Sequence, residues 1–180
     1  MTDEKIVERV IAGDTEAYGQ IMHRYETKLL RYVTYLIHDK VAAQDVVQNT
    51  FIKTYQHLRR FNRSYKFSSW IYRIAHNEAM NAIKQQRHHS DADITEQPDD
   101  SYSTNLESAI DAGIAKAHLH GCLGKLEPKY REVLQLVYLE RMKYEEASDV
   151  LHIPTSTVGV WLSRAKAKLR TICEQKGVHP

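Results

Sequence analysis

The stretch Lys143–Arg170, KYEEASDVLHIPTSTVGVWLSRAKAKLR, carries two helical periods separated by a turn. Tyr144, Ala147 and Val150 recur at steps of three, so residues 143–150 read as a two-turn helix with those side chains inward. Leu151-His-Ile-Pro154 is too short to be anything but a turn, and proline has no N–H with which to extend a helix. Thr155 then caps a longer helix whose Val158, Trp161, Leu162, Ala165, Leu169 and Ile172 share a face. Short helix, tight turn and longer basic helix make a helix-turn-helix. A helix entering the major groove needs small or polar residues at its leading end and cations beside them for phosphates. Thr155, Ser156, Thr157, Gly159, Val160 and Ser163 are small enough to approach base edges, while Arg164, Lys166, Lys168 and Arg170 supply charge. Few long side chains sit where bases would be read, which favours shape and backbone contacts. Taken alone, the segment also fits a helical hairpin of some other bundle.

Upstream, helical periods continue with few glycines or prolines to break them. Asp3–Ala12 places Ile6, Val7, Val10 and Ile11 on one face and stops at Gly13. Asp14 can cap a second helix with Tyr18, Ile21, Met22, Tyr25, Leu29, Val33, Leu36 and Ile37 inward. Asp39 can cap a third, with Ala42, Ala43, Val46, Val47, Phe51, Ile52, Tyr55 and Leu58 inward. Phe61–Phe67 breaks the period and reads as a loop, after which Ser68 caps a helix carrying Trp70, Ile71, Ile74, Ala75, Ala79 and Ile83. Residues 88–103 are polar, acidic and proline-bearing, the composition of a flexible linker. Thr104-Asn-Leu-Glu107 is a capping box that restarts helix to about Leu123, and Pro128 opens another through about Glu140. The expected fold is therefore all-α: a helical domain over 1–87, an acidic linker over 88–103, and a helix-turn-helix domain over 104–180.

Net charge is only +2, but its distribution is blocked. Lys53–Arg87 holds eight Lys or Arg against Glu78; Ser90–Ala115 holds seven acids and no Lys or Arg; Thr155–Lys176 holds five basic residues against Glu174. Two basic blocks, each coinciding with a distinctive motif, point to two surfaces for polyanions. No run approaches the ~20 apolar residues that cross a bilayer. The N-terminus lacks the basic-then-apolar shape of a signal peptide, so a cytosolic protein without membrane insertion is expected. Cys122 and Cys173 give no disulfide framework.

The first basic block is also aromatic. Phe61, Tyr65, Phe67, Trp70 and Tyr72 interleave with Arg59, Arg60, Arg63, Lys66 and Arg73. Aromatic faces stack on unpaired bases while cations follow the backbone, so this composition suits single-stranded DNA. Core packing is the competing reading, favoured for Trp70, while the loop aromatics are candidates for base contact.

The run Phe61-Asn-Arg-Ser-Tyr-Lys-Phe-Ser-Ser-Trp-Ile-Tyr-Arg-Ile-Ala-His-Asn77 resembles the segment with which extracytoplasmic-function (ECF) sigma factors melt and read the -10 promoter element. Ala43-Gln-Asp45-Val-Val-Gln48-Asn-Thr-Phe51 resembles their polymerase-binding motif, and Gly13-Asp14-Thr-Glu-Ala17-Tyr18 is similar to their opening helix junction. Leu126-Glu-Pro-Lys-Tyr-Arg131-Glu-Val-Leu134 followed by Tyr144-Glu-Glu146-Ala147 resembles the start of their -35-reading domain. Thr157-Val158 and Arg164-Ala165-Lys166-Lys168-Leu169 fit its recognition helix. The resemblance covers nearly the whole chain in register. It implies a promoter-recognition subunit of RNA polymerase rather than an enzyme, with no cofactor. Asp45, Gln48 and Asn49 would then face the clamp coiled coil of the largest polymerase subunit, with a further contact at the flap. Asn62, Arg63, Tyr65, Lys66 and Phe67 would hold a flipped -10 base, with Asn77, Asn81 and Lys84 along the adjoining helix. Thr155, Thr157, Gly159, Val160, Ser163 and Arg164 would meet the double-stranded -35 element. The acidic linker would lie in polymerase channels that later hold RNA, and an anti-sigma partner is an expectation from the family alone.

The chain departs from the family pattern in places. Asn49 and Asn81 stand where acids are common, Glu146-Ala-Ser148 replaces Glu-Ile-Ala, and Gly159 replaces a frequent Lys or Arg. Two rivals remain. A plain helix-turn-helix regulator would leave the aromatic, basic first domain unexplained. A zinc enzyme would rest on His118, His120 and Cys122, but two-residue steps on a helix point to different faces.

Overall fold

The structure, a computed structural model, describes residues 1–90 and 121–175. The described residues form two compact units: residues 1–90 with 145–152, and residues 121–144 with 153–175. All regular structure among them is helical.

Local chemistry explains the breaks in the first unit. Helix α1 (Asp3–Ile11) starts where Thr2 Oγ1 accepts from the Lys5 N–H at 3.4 Å. It stops before Gly13, whose φ of +108° lies in the region that favours glycine. Asp14 Oδ1 then accepts from the Ala17 N–H at 3.1 Å and opens a short 3-10 turn into α2 (Tyr18–Ile37). The Arg9 guanidinium, 2.6 Å from Asp14, together with the Ala17 N–H, holds that carboxyl below its usual range. Asp39 Oδ1 accepts from Val41 and Ala42 at 2.8 and 3.0 Å and caps α3 (Lys40–His57), as the sequence predicts.

Helices α2, α3 and α4 (Phe67–Ser90) pack on one another, and α1 lies against α2 and α4. Their shared core holds Ile21, Leu29, Tyr32, Val33, Ala43, Phe51, Ile71, Tyr72 and Ala75. Burial raises the phenols of Tyr18 and Tyr25 far above their ordinary values, and each keeps a hydrogen-bond acceptor: the Phe51 carbonyl at 2.7 Å and Asp3 Oδ2 at 2.6 Å. Asp3 also pairs with Arg24, so one carboxylate ties α1 to α2.

Three inward assignments in this unit do not hold. Met22, Ile52 and Tyr55 are 43%, 54% and 45% exposed, whereas Tyr32, Thr50 and Thr54 are fully buried. On α3 the buried stripe runs 43, 46, 47, 50, 51 and 54. Thr50 can join it because its hydroxyl donates to the Val46 carbonyl at 2.8 Å. Helix α4 begins at Phe67, one residue ahead of the expected Ser68 cap, and runs beyond Arg87 to Ser90. The rest of the linker expected at 88–103, the capping box at 104–107, His118 and His120 fall outside the described residues.

In the second unit Pro128 occupies the first turn of α5 (Pro128–Leu134), which continues as a π-helical turn over Gln135–Leu139. Arg131 is buried and donates to the carbonyls of Gly124 and Leu126, both at 3.1 Å, fixing the entry to this helix. Helix α5 packs on α7 (Thr155–Gln175), where Val158, Leu162 and Ala165 are buried. Helix α7 opens at Thr155 itself, with the Pro154 carbonyl accepting from the N–H groups of Thr157 and Val158. Helix α6 (Tyr144–Leu151), whose residues 145–151 group with the first unit, buries Ala147 and Val150 as expected, but Tyr144 is 41% exposed rather than inward.

Candidate nucleic-acid and protein interfaces

Asp45, Gln48 and Asn49 are all exposed on α3. Val41 and Ile52, 69% and 54% exposed, lie on the same face, because residues 41, 45, 48 and 52 follow the steps of four, three and four that align on a helix. Exposed aliphatic groups flanking an acid and two carboxamides make a surface suited to another protein: apolar centre, polar edge. Sequence reading missed Val41 and turned Ile52 inward, because periodicity counts apolar residues without asking which threonines can be buried among them.

The loop before α4 is shaped by its own polar residues. Asn62 Oδ1 accepts from the Ser64 N–H at 2.9 Å, and its carbonyl accepts from the Tyr65 N–H at 3.1 Å, which closes a tight turn. Arg63 is exposed and pairs with Glu8 of α1 at 3.0 Å, so α1 braces the loop from one side. Tyr65 projects with its ring 48% exposed, and Lys66 is exposed beside it.

Phe67 is different. It is fully buried, with Phe61 edge-on at 5.6 Å, Tyr25 at 5.8 Å and Trp70 tilted at 5.7 Å between ring centroids. The expectation that Phe67 holds a flipped base does not fit this placement. Its ring is the floor on which the loop rests, and Tyr65 is the aromatic group the loop offers to solvent. Trp70, half-buried against Phe61 at 5.1 Å, belongs to the same cluster.

Along α4, Asn77, Asn81 and Lys84 are exposed at steps of four and three, forming one stripe that continues from half-buried Arg73.

On α7, Thr155, Val160, Ser163 and Arg164 are exposed, while Thr157 and Gly159 are partly covered. A methyl group added at Gly159 would lie 3.7 Å from Tyr144 Cε2, an ordinary contact, so space does not demand the glycine. The leading end of the helix presents small groups, and its later basic residues are partly engaged. Lys166 stands 5.2 Å from the Tyr138 ring centre, and Lys168 stands 4.8 Å from that of Tyr130. Lys168 also pairs with Glu127, whose carboxyl is held low by that ammonium first and by Lys129 second. These contacts staple α5 to α7 and leave Arg164 as the exposed cation nearest the small residues.

Residues 21–89 match Sigma-70 region 2 and residues 117–169 match Sigma-70, region 4. The chain is 32% identical over 173 residues to the RNA polymerase sigma-H factor of Pseudomonas aeruginosa, covering 91% of this chain and 90% of that protein. The chain belongs to the ECF group of sigma-70 factors. This sigma factor is also 27% identical to the ECF sigma factor SigW of Bacillus subtilis, across 94% of this chain and 96% of SigW. Its fold is similar to CnrH, solved with the cytosolic domain of CnrY, at a TM-score of 0.71 and 24% identity over 96% of this chain and 97% of that one. It is likewise similar to the Bartonella quintana sigma factor RpoE, solved with the anti-sigma factor NepR, at 0.75 and 20% over 87% and 96%. As an ECF sigma factor it directs promoter-specific transcription, acting as an initiation factor of RNA polymerase. No described helix is long and apolar enough to cross a membrane. Among the described residues no cluster of His, Cys, Asp or Glu could hold a metal, and Cys122 is buried.

Proposed function

We propose that this sigma factor divides its work between two faces of its first unit and the leading end of α7. The exposed face of α3, with Asp45 and Gln48 between Val41 and Ile52, docks on the clamp coiled coil of the polymerase core; Asn49 sits at its edge. The Asn62–Lys66 loop and the Asn77–Lys84 stripe take the unpaired -10 strand and so assist melting, with Tyr65 supplying the stacking surface. Thr155, Thr157, Gly159, Val160, Ser163 and Arg164 meet the duplex at -35. What carries this reading is the segregation within the first unit: the mixed apolar and acidic face lies on α3, while the aromatic and basic loop leads into α4. A plain helix-turn-helix regulator has no use for either. The protein works in the cytoplasm, and a sequestering anti-sigma partner covers one or both faces, in keeping with the complexes in which its structural relatives were solved.

Asp45→Ala combined with Gln48→Ala is expected to weaken core binding by about tenfold or more, since a central charged hydrogen bond is worth about 1.5–3 kcal/mol. Duplex -35 binding and thermal stability should stay unchanged, because both side chains are exposed. Fluorescence anisotropy of labelled protein titrated with core polymerase reads the first, and melting by circular dichroism reads the second. Equal affinity for core would remove α3 from the interface.

A further inference from the structure

Both cations of the Asn62–Lys66 loop are engaged by carboxylates. Arg63 pairs with Glu8 of α1 at 3.0 Å, and Lys66 pairs with Glu146 of α6 at 2.6 Å. The two pairs differ in where the acid comes from. Helix α1 belongs to the first unit in every respect. Helix α6 is by sequence the first helix of the helix-turn-helix, and yet residues 145–152 group with the first unit. The Glu146 side chain is largely covered, while that of Lys66 stays 60% exposed. The carboxylate of Glu146 holds the Lys66 ammonium above its ordinary value, with a smaller push from Glu4.

This pairing is incompatible with occupancy of both promoter elements. The first helix of a helix-turn-helix crosses the duplex backbone while the second enters the groove. Elements at -10 and -35 lie about 25 base pairs apart, roughly 85 Å along the duplex at 3.4 Å per base pair. Glu146 therefore leaves Lys66 whenever α6 serves the -35 element and the loop serves the -10 element.

We propose that the Lys66–Glu146 pair is an autoinhibitory latch of the free chain, in which a carboxylate occupies the loop cation in place of a DNA phosphate. The latch opens when α6 follows α7 to the -35 duplex, and Lys66 then exchanges Glu146 for the strand. The proposal rests on the reading that the Asn62–Lys66 loop meets the -10 strand. Polymerase and duplex favour the open state because only there does α6 reach its own element. Away from polymerase the chain has a weakened hold on single strands; the holoenzyme on a promoter does not. The Arg63–Glu8 pair is made between two elements of one unit and need not break in the same step.

Two measurements on the full chain test the latch. A carbodiimide, which joins a lysine to a carboxylate only when the two touch, should link Lys66 to Glu146 in the free chain, as read by mass spectrometry of its peptides. In holoenzyme bound to a promoter mapped with it, that link should disappear. The second measurement is affinity for a labelled single-stranded oligonucleotide spanning the -10 region of that promoter. Glu146→Gln should strengthen binding by the free chain about two- to fivefold, the range for a partly exposed ion pair, and leave binding by the promoter-bound holoenzyme unchanged. Glu145→Gln, the same loss of charge at the exposed neighbouring position, should give no gain. In a Lys66→Gln background, Glu146→Gln should be silent, because the partner it releases is gone. Absence of the link in the free chain, or its persistence on the promoter, would overturn the proposal. So would free-chain binding that Glu146→Gln leaves unchanged or weakens, or an equal gain from Glu145→Gln. Failure of the unsubstituted holoenzyme to bind the strand would instead strike the -10 reading beneath it, and the cross-link would still decide whether the pair opens.

Discussion

Phe67→Ala is expected to unfold the first unit rather than leave a folded protein that fails at promoters. The ring is fully buried among Tyr25, Phe61 and Trp70. Removing a phenyl from such a site costs about 3–5 kcal/mol through lost transfer energy and the cavity left behind. Whole domains are stable by only about 5–15 kcal/mol. At about 4–8 °C per kcal/mol for a unit of this size, the thermal midpoint should fall by well over 10 °C. Core binding and promoter opening would be lost together. Phe67→Leu, which refills most of the volume, should restore much of both. A midpoint unchanged by Phe67→Ala, with opening alone lost, would return this ring to the DNA.

Tyr65→Ala should have the opposite profile. Its ring is about half exposed, and the turn that holds it is made by the Asn62 side chain and backbone. The thermal midpoint and the affinity for core should therefore be unaltered. If Tyr65 stacks on an unpaired base, its loss removes about 1–3 kcal/mol, a factor of roughly 5 to 150 in open-complex formation. Tyr65→Phe keeps the stacking face and should retain most of the activity. Permanganate reactivity of -10 thymines, followed in time, distinguishes the two variants. Equal opening by Tyr65→Ala would leave the loop without an exposed aromatic contact.

Much of this molecule was legible in the sequence because its breaks are chemical. Gly13, Asp14, Asp39 and Pro128 each mark a helix end where a positive φ, a missing N–H or an unpaired donor demands that residue type. The positions that misled are those where hydrophobicity and burial part company. Thr50 looks polar but bonds its own helix and disappears into the core. Ile52 and Tyr55 look buried but lie on the face of α3 turned to solvent. Tyr144 likewise follows the inward period yet stands over Gly159 at the surface. The candidate site was legible by element, not by side chain. A motif of alternating aromatics and cations makes the loop a candidate for DNA contact, but does not say that Phe67 is its floor and Tyr65 its tip. That distinction depends on the packing of Tyr25, forty-two residues upstream of Phe67, which no local pattern encodes. That Asn49 and Asn81 line one groove is of the same kind, since it requires α3 and α4 to lie side by side.

Transcription reconstituted from this chain and core polymerase on genomic fragments, with start sites mapped, tests the central claim most directly. Starts that require the chain and share two upstream motifs, one at -10 and one at -35, are the expected result. Binding of duplex without chain-dependent starts, and without affinity for core, would contradict it and leave a plain helix-turn-helix regulator.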